Sequence, residues 1–187
     1  MSARPTFLSA KADRHLAAAL LEADTPLFNV SEDQLEEANN KLVERQATHN
    51  LPPPPYGILD VLLHDMQALK EEALIQYTIE FHQTPPVDLS VIELNEDFIK
   101  TLHKNDCLHS WCLPFDKEDG MVFIATTHYL AEAVRLFWEE KLGKCILWHV
   151  TTGTSLREGL ERAVFKKEVA PAPPPMAPAT VPPFPVS

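Results

Sequence analysis

PPVDLSVIELNEDFIKTL, residues 85–102, decides how the chain divides. The Pro85-Pro86 pair cannot continue a helix, because proline lacks a backbone N–H and its ring restricts the residue before it. Any helix upstream must stop there. Val87 and Leu89 then alternate with Asp88 and Ser90 in a short extended piece. Asn95 offers a side-chain oxygen as N-cap, with Leu94 and Ile99 placed as the apolar staple across it. The stretch predicts a joint followed by a helix over residues 95–104, with Phe98, Ile99 and Leu102 facing inward.

Upstream of this joint, residues 10–82 read as helical. Leu16, Leu20 and Ala23 fall on one helical face. Ser31-x-x-Gln34 is a capping box, with Val30 and Leu35 as its staple, and the helix it opens turns Leu35, Ala38 and Leu42 inward. After Pro52–Pro55, Leu59, Leu62 and Leu63 begin a short helix, and a second carries Leu69, Ala73, Leu74, Tyr77 and Phe81. The two stretches repeat each other: a short helix, a turn, and a longer helix whose acidic first turn complements the helix dipole.

Downstream the period changes. Residues 110–115 and 121–126 are strand-like, joined by Asp116-Lys-Glu-Asp-Gly120 as a hairpin turn with glycine where positive φ is needed. Leu130, Val134, Phe137 and Trp138 form a helix face. Residues 144–150 are nearly all apolar, which predicts a central strand covered on both faces. Ser155-x-x-Glu158 is expected to cap a last helix with Leu156, Leu160 and Val164 inward. The fold class is α+β: an N-terminal helical repeat of two helical hairpins, then a small α-β-β-α-β-α sandwich with a three-stranded sheet. The expected divisions are an extension over 1–13, the helical repeat over 14–84, the α/β part over 85–168 and a Pro-rich tail over 169–187.

A net charge of −11 on 187 residues argues against binding nucleic acid or an anionic membrane through bulk charge. No apolar run approaches the roughly 18 residues of a membrane span, and residues 1–15 lack the apolar core of a secretory signal. Three cysteines fit a reducing cytoplasm better than a disulfide framework. Residues 170–187 hold eight prolines and no charged side chain, a composition that reads as disordered or polyproline-like.

No constellation carries catalysis. Gly143-Lys144 is followed by Cys145 where a phosphate-binding loop needs Ser or Thr. Thr151-Thr-Gly-Thr-Ser155 superficially resembles an anion cradle before a helix, but an ordinary strand-to-helix connection with a good cap is the preferred reading. His103, Cys107, His109 and Cys112 have the residue types of a zinc site, yet run from a helix end into a strand, where alternation turns His109 and Cys112 apart. Cys145 and His149 would stand about 13 Å apart along a strand. Glu36-Glu37 and Glu71-Glu72 fit solvated helix starts, and Trp111, Trp138 and Trp148 fit a core. The expectation is no enzyme, no metal and no cofactor.

PPVDL, the capped ELNEDFIKTL, the strand pair within WCLPFDKEDGMVFIATT and the helix YLAEAVRLF together resemble the N-terminal domain of type II secretion and type IV pilus assembly ATPases, over about residues 14–165. In such bacterial ATPases this domain precedes the motor and docks on the cytoplasmic part of an inner-membrane partner; in some members its helical repeats bind cyclic di-GMP. The resemblance implies a non-catalytic adaptor or regulatory module, cytoplasmic or peripheral at the inner membrane through its partner. That partner would be an inner-membrane secretion or pilus component or a motor ATPase, with no nucleic acid and no direct membrane insertion.

The alternative it implies is a cyclic di-GMP sensor. Its motif positions here are His15, Leu16 and Ala17 in the first repeat and Leu59 and Asp60 in the second. Ala17 and Asp24 replace the family's two glycines in the first repeat, and Gln67 replaces the second glycine of the second. Leu42 and Phe81 stand where glutamines are expected, and Thr25–Asn29 looks inserted. Asp60 would bring a negative charge towards a phosphate, so the adaptor reading is preferred. Because no core residue is expected in the tail, deleting residues 170–187 should leave a single cooperative urea transition with its slope unchanged.

Overall fold

The computed structural model describes residues 7–48 and 56–164, so the proline clusters at 52–55 and in the tail lie outside it. α1 (Phe7–Glu22) buries Ala12, Leu16 and Leu20 on one face. α2 (Glu32–Ala47) opens with the expected box: Ser31 Oγ accepts the Gln34 N–H at 3.2 Å, and Gln34 Oε1 accepts the Ser31 N–H at 3.0 Å. Leu35, Ala38 and Leu42 are buried as their spacing requires, and Val30 is buried beside them. α3 (Ile58–Asp60) runs into a π-helical turn (Val61–Asp65), and α4 (Glu71–His82) ends at Gln83 in a left-handed conformation, φ 53°.

The prolines then do what their chemistry dictates. Released from helix, the chain lies beside a strand: the Val87 N–H donates to Val150 O at 2.9 Å and the Val150 N–H to Pro85 O at 3.0 Å. The strand belongs to a mixed sheet of order β1-β2-β3 made by β1 (Cys112–Glu118), β2 (Met121–Thr126) and β3 (Ile146–Val150). β1 and β2 form an antiparallel hairpin, with a register shift between Pro114 and Asp116. Asp119 and Gly120 take the positive φ the turn needs. β2 and β3 are parallel, linked through α7 (Glu132–Leu142), and α8 (Gly153–Val164) follows β3. The architecture is α+β, four helical segments ahead of the joint and the small sandwich after it.

β3 is therefore an edge strand, not the central one. Only Val150 is buried there, Leu147 is exposed, and Ile146, Trp148 and His149 are half-buried. The apolar run that predicted a central strand packs against rings and the joint instead of a further full strand; His149 lies against Phe115 and Phe123. The central position falls to β2, whose Val122, Ile124, Ala125 and Thr126 are buried.

The helix expected over 95–104 stops after one turn as α5 (Glu96–Ile99), and a separate α6 (Lys104–Ser110) begins only at the last residue of that span. Asn95 does cap α5, accepting the Phe98 N–H at 3.0 Å, but it is also pinned to β1 through Asp116 Oδ1 and Phe115 O. Thr101 Oγ1 then donates to Phe98 O at 2.6 Å, a local bond that competes with further helix. The first strand begins at Cys112, not Ser110, because Ser110 is still helical and Trp111 turns the chain through φ 50°.

The last helix starts three residues earlier than expected. Its cap is Thr152, whose Oγ1 accepts the Ser155 N–H at 3.1 Å. Ser155 serves the joint: its Oγ accepts the Leu89 N–H at 2.7 Å and donates to Asp88 Oδ1 at 3.1 Å. Arg162 holds the Leu89 and Ile92 carbonyls at 2.6 and 3.1 Å. Leu89 is fully buried against Gly159 of α8, where an added Cβ would lie 2.9 Å from Leu89 Cβ and 3.1 Å from Leu113 Cδ2. Gly159→Ala should therefore destabilise the protein by about 1–3 kcal/mol despite alanine's better helix propensity, read as a lower urea midpoint. A midpoint at or above wild type would mean that α8 can move off the joint freely.

Candidate functional site

The helical segments and the sandwich meet at a small cleft. Leu59, Asp60, Leu63, His64 and Glu71 line one side; Trp111, His128, Gly153, Leu156 and Arg157 line the other. Its volume, about 20 Å³, admits a water and little else. The wall is built from α3, the start of α4, the α6–β1 junction, the loop after β2 and the first turns of α8.

Four carboxylates govern the electrostatics of this joint and its surroundings, and each accepts a backbone N–H. Asp13 Oδ1 takes the Ile58 N–H at 3.0 Å, and Asp60 Oδ2 takes the Gly57 N–H at 2.9 Å. Glu71 Oε1 takes the Gly153 N–H at 2.6 Å across the joint, and Asp88 takes its neighbour Ser90 N–H at 2.9 Å. Arg157 approaches Asp60 at 3.9 Å. Burial pushes both Asp13 and Asp60 up; Asp13, which also feels the Asp60 charge, rises to about 7. Gly57 leaves no room between Asp13 and Trp111, as an added Cβ would sit 2.6 Å from both. The Thr151–Ser155 turn, read in the sequence as a possible anion cradle, has its first helical N–H taken by the Glu71 carboxylate.

His128 is fully buried and stacked on Trp111, centroids 4.2 Å apart and planes 15° from parallel. Its Nδ1 pairs with Thr127 Oγ1 at 2.8 Å, while its Nε2 and the Trp111 Nε1 bond to no described residue. Burial holds its pKa down to about 3, so the ring is neutral. Burial likewise pushes the Cys107 and Cys112 thiols up to about 12, which leaves them without nucleophilic thiolate at neutral pH. Ser9 lies 3.4 Å from His109 Nδ1, but its hydroxyl also meets the His109 carbonyl at 3.1 Å as donor. Among the described residues no group of three His, Cys, Asp or Glu side chains could hold a metal. No described helix is long and apolar enough to cross a membrane.

The residues singled out in the sequence divide between core and joint. Leu16 is fully buried in α1 and Leu59 is buried in α3, both in the core; Ala17 packs against it, and His15 is half-buried on α1. Leu59 and Asp60 line the cleft, whereas His15, Leu16 and Ala17 do not. The structure does bring α1 to α3, through Asp13 rather than His15. Sequence reading missed Asp13, although one signal was present: it lies at i, i+3 and i+7 with Leu16 and Leu20, an acidic residue on an apolar face. Glu71, read as a solvated helix start, is the residue that crosses the joint. Trp111, read as a core aromatic, is buried, whereas His128 gave no pattern at all.

No family model and no curated protein matches the chain. It is similar to the solved structure of MshE with cdg, at 20% identity and TM-score 0.49, over 79% of this chain and 97% of that one. It is also similar to the N-terminal domain of XpsE in two crystal forms, at 16% and 18% identity with TM-scores 0.48 and 0.47. Those likenesses span 81% of this chain and 94% and 95% of theirs.

The raised Asp13 fixes a pH dependence. An unfolded aspartate titrates near 3.8 and the folded one near 7, so between these values the folded state binds the extra proton. The stability this group contributes is complete below 3.8 and is lost as pH rises through 7. Asp13→Asn keeps the acceptor for Ile58 and removes the charge, so it should gain on wild type by about 1–3 kcal/mol between pH 4 and pH 8. Urea midpoints of the two proteins across that range check it; parallel curves would show that Asp13 titrates normally.

Proposed function

We propose that this chain is a non-catalytic adaptor or regulatory module of the kind found ahead of the motor in type II secretion and type IV pilus assembly ATPases. Its partner would be a cytoplasmic part of an inner-membrane secretion or pilus component, or the motor itself. The observation that carries the reading is the use of Asp60 and Glu71. Both carboxylates stand where a phosphate would need backbone N–H groups, and each takes one such N–H for the fold. A nucleotide phosphate brought to either place would meet negative charge instead of donors.

Two further features agree with it. Leu16 is a core residue with no face to offer a ligand, and the cleft that Leu59 lines admits a water and little else. The buried imidazole and thiols of the described residues lie far from the ionisation a catalytic base or nucleophile needs at neutral pH. What remains is a shaped surface, and a surface is what an adaptor uses.

Thermal melts with cyclic di-GMP, and with ATP as control, test this directly. The expected midpoint is unchanged by either nucleotide at concentrations up to millimolar. A shift growing with cyclic di-GMP concentration would make the chain a sensor. Co-elution with the purified cytoplasmic part of the inner-membrane component, lost in high salt or on surface substitution, would identify the docking partner; no co-elution with any such component would sink the adaptor reading.

A further inference from the structure

Five rings form a continuous strip across the outside of the joint. Tyr77 and Phe81 on α4 stack with centroids 4.8 Å apart, and His82 meets Tyr77 edge-on at 5.6 Å. From there His82 contacts Tyr129 at 5.4 Å, and Tyr129 contacts Trp148 of β3 at 6.3 Å. Phe81 is 54% exposed, His82 is exposed, and the other three are half-buried. So much open aromatic surface on one small domain marks a contact site.

The strip also has unused polar tips. The Tyr77 and Tyr129 hydroxyls and the Trp148 indole N–H make no hydrogen bond among the described residues. Burial and the neighbouring Arg135 hold His82 below its usual range, which favours the neutral ring. Arg135 itself lies over the Tyr129 ring and donates to the Tyr129 carbonyl. The surface therefore offers flat apolar faces and hydrogen-bond donors, and no free carboxylate among its rings. That is the chemistry that recognises a polyproline II helix, whose rings pack on aromatic faces and whose carbonyls have no internal donors.

This same chain carries a segment of matching composition. Residues 170–187 include eight prolines, three of them consecutive at 173–175, and no charged side chain. As a polyproline II helix at 3.1 Å per residue, the 21 residues from Val164 to Pro185 would span about 65 Å, against a domain roughly 40 Å across. The segment can therefore reach any face of its own molecule. An uncharged strand is also free of the repulsion that an acidic peptide would meet on a chain of net charge −11.

We propose that the strip formed by Tyr77, Phe81, His82, Tyr129 and Trp148 is the docking site of the chain's own Pro-rich segment, residues 170–187, in the same molecule. Tethering gives the segment an effective concentration on the order of millimolar, so a docking Kd near 1 mM leaves the strip about half occupied. Docking of that strength adds little to stability, in keeping with the expectation that removing the tail leaves folding cooperative. It covers the strip with a segment that a partner could displace. The inference stands independently of the adaptor reading.

A spin label on the full chain tests it. Cys145 is exposed and is removed as Cys145→Ser, Cys107 and Cys112 are buried, and Ser187→Cys then gives one reactive thiol. The expected result is about a twofold loss of amide intensity at residues 77–82, 129 and 148, with the rest of the spectrum affected less. The loss should be independent of protein concentration and should recover in Phe81→Ala and, separately, in Trp148→Phe, both read against their own unlabelled spectra. Broadening spread evenly or centred elsewhere would overturn the proposal. Broadening that grows with concentration would assign the segment to a second copy, and broadening unchanged by both substitutions would remove the strip.

Discussion

The backbone of residues 85–92 finds little within itself beyond the Val91 N–H to Asp88 carbonyl bond at 3.4 Å and the Ser90 N–H to the Asp88 carboxylate, and satisfying the rest organises the protein. Two prolines forbid helix, and one short stretch cannot make a sheet, yet Leu89 is fully buried. Every buried amide and carbonyl must still find a partner. Val150 takes the first of them on the open edge of β3, Ser155 takes the Leu89 N–H, and Arg162 takes the Leu89 and Ile92 carbonyls. One stretch thereby ties together a strand, two turns of α8 and the start of the sandwich. Gly159 is the consequence, since only the absence of a Cβ lets the joint lie against the helix.

The same economy governs the charges. An acidic chain has more carboxylates than cations to pair them, and around the joint four are held instead by backbone N–H groups. Asp13 and Asp60 hold the entry of α3, Glu71 holds the start of α8, and Asp88 closes the turn beside Ser155. Hydrogen bonds to the charged form offset part of the desolvation cost, but burial still dominates at Asp13 and Asp60, which are raised. Two of these carboxylates link segments from opposite sides of the joint, by a direct bond at Glu71 and by the 3.9 Å approach of Arg157 at Asp60. The donor positions that could have bound an anion from outside are used to bind the chain to itself.

Most of the element types were legible from short-range rules. The Ser31 box, the Asn95 cap, the Asp119-Gly120 turn and the hairpin strand over residues 121–126 are each specified by residues within four positions of one another. The misreadings share one cause. Lys144–Val150 is apolar, and apolarity reports burial without saying what does the burying; here rings and the joint cover β3 where a further full strand was expected. Residues 95–104 have helical spacing, but spacing does not show that the Thr101 hydroxyl turns back to the Phe98 carbonyl, where α5 stops after one turn. Ser155 looked like a cap because it precedes Glu158 by three, and was drawn instead to Leu89, 66 residues earlier.

What the sequence alone determined is therefore the division of the molecule: helical segments, a proline joint, and an α-β-β-α-β-α unit, each set by local stereochemistry and period. Tertiary structure decided the rest. It made β3 an edge, turned Glu71 from a solvent-facing helix start into the anion at the head of α8, and raised Asp13 by enclosing it beside Asp60. It also lined up five rings from α4, the loop after β2 and β3 that lie as far as 71 positions apart in the chain. The reason is physical: a hydrogen bond or a ring contact depends on which distant residue arrives within a few ångströms, and no local pattern carries that information.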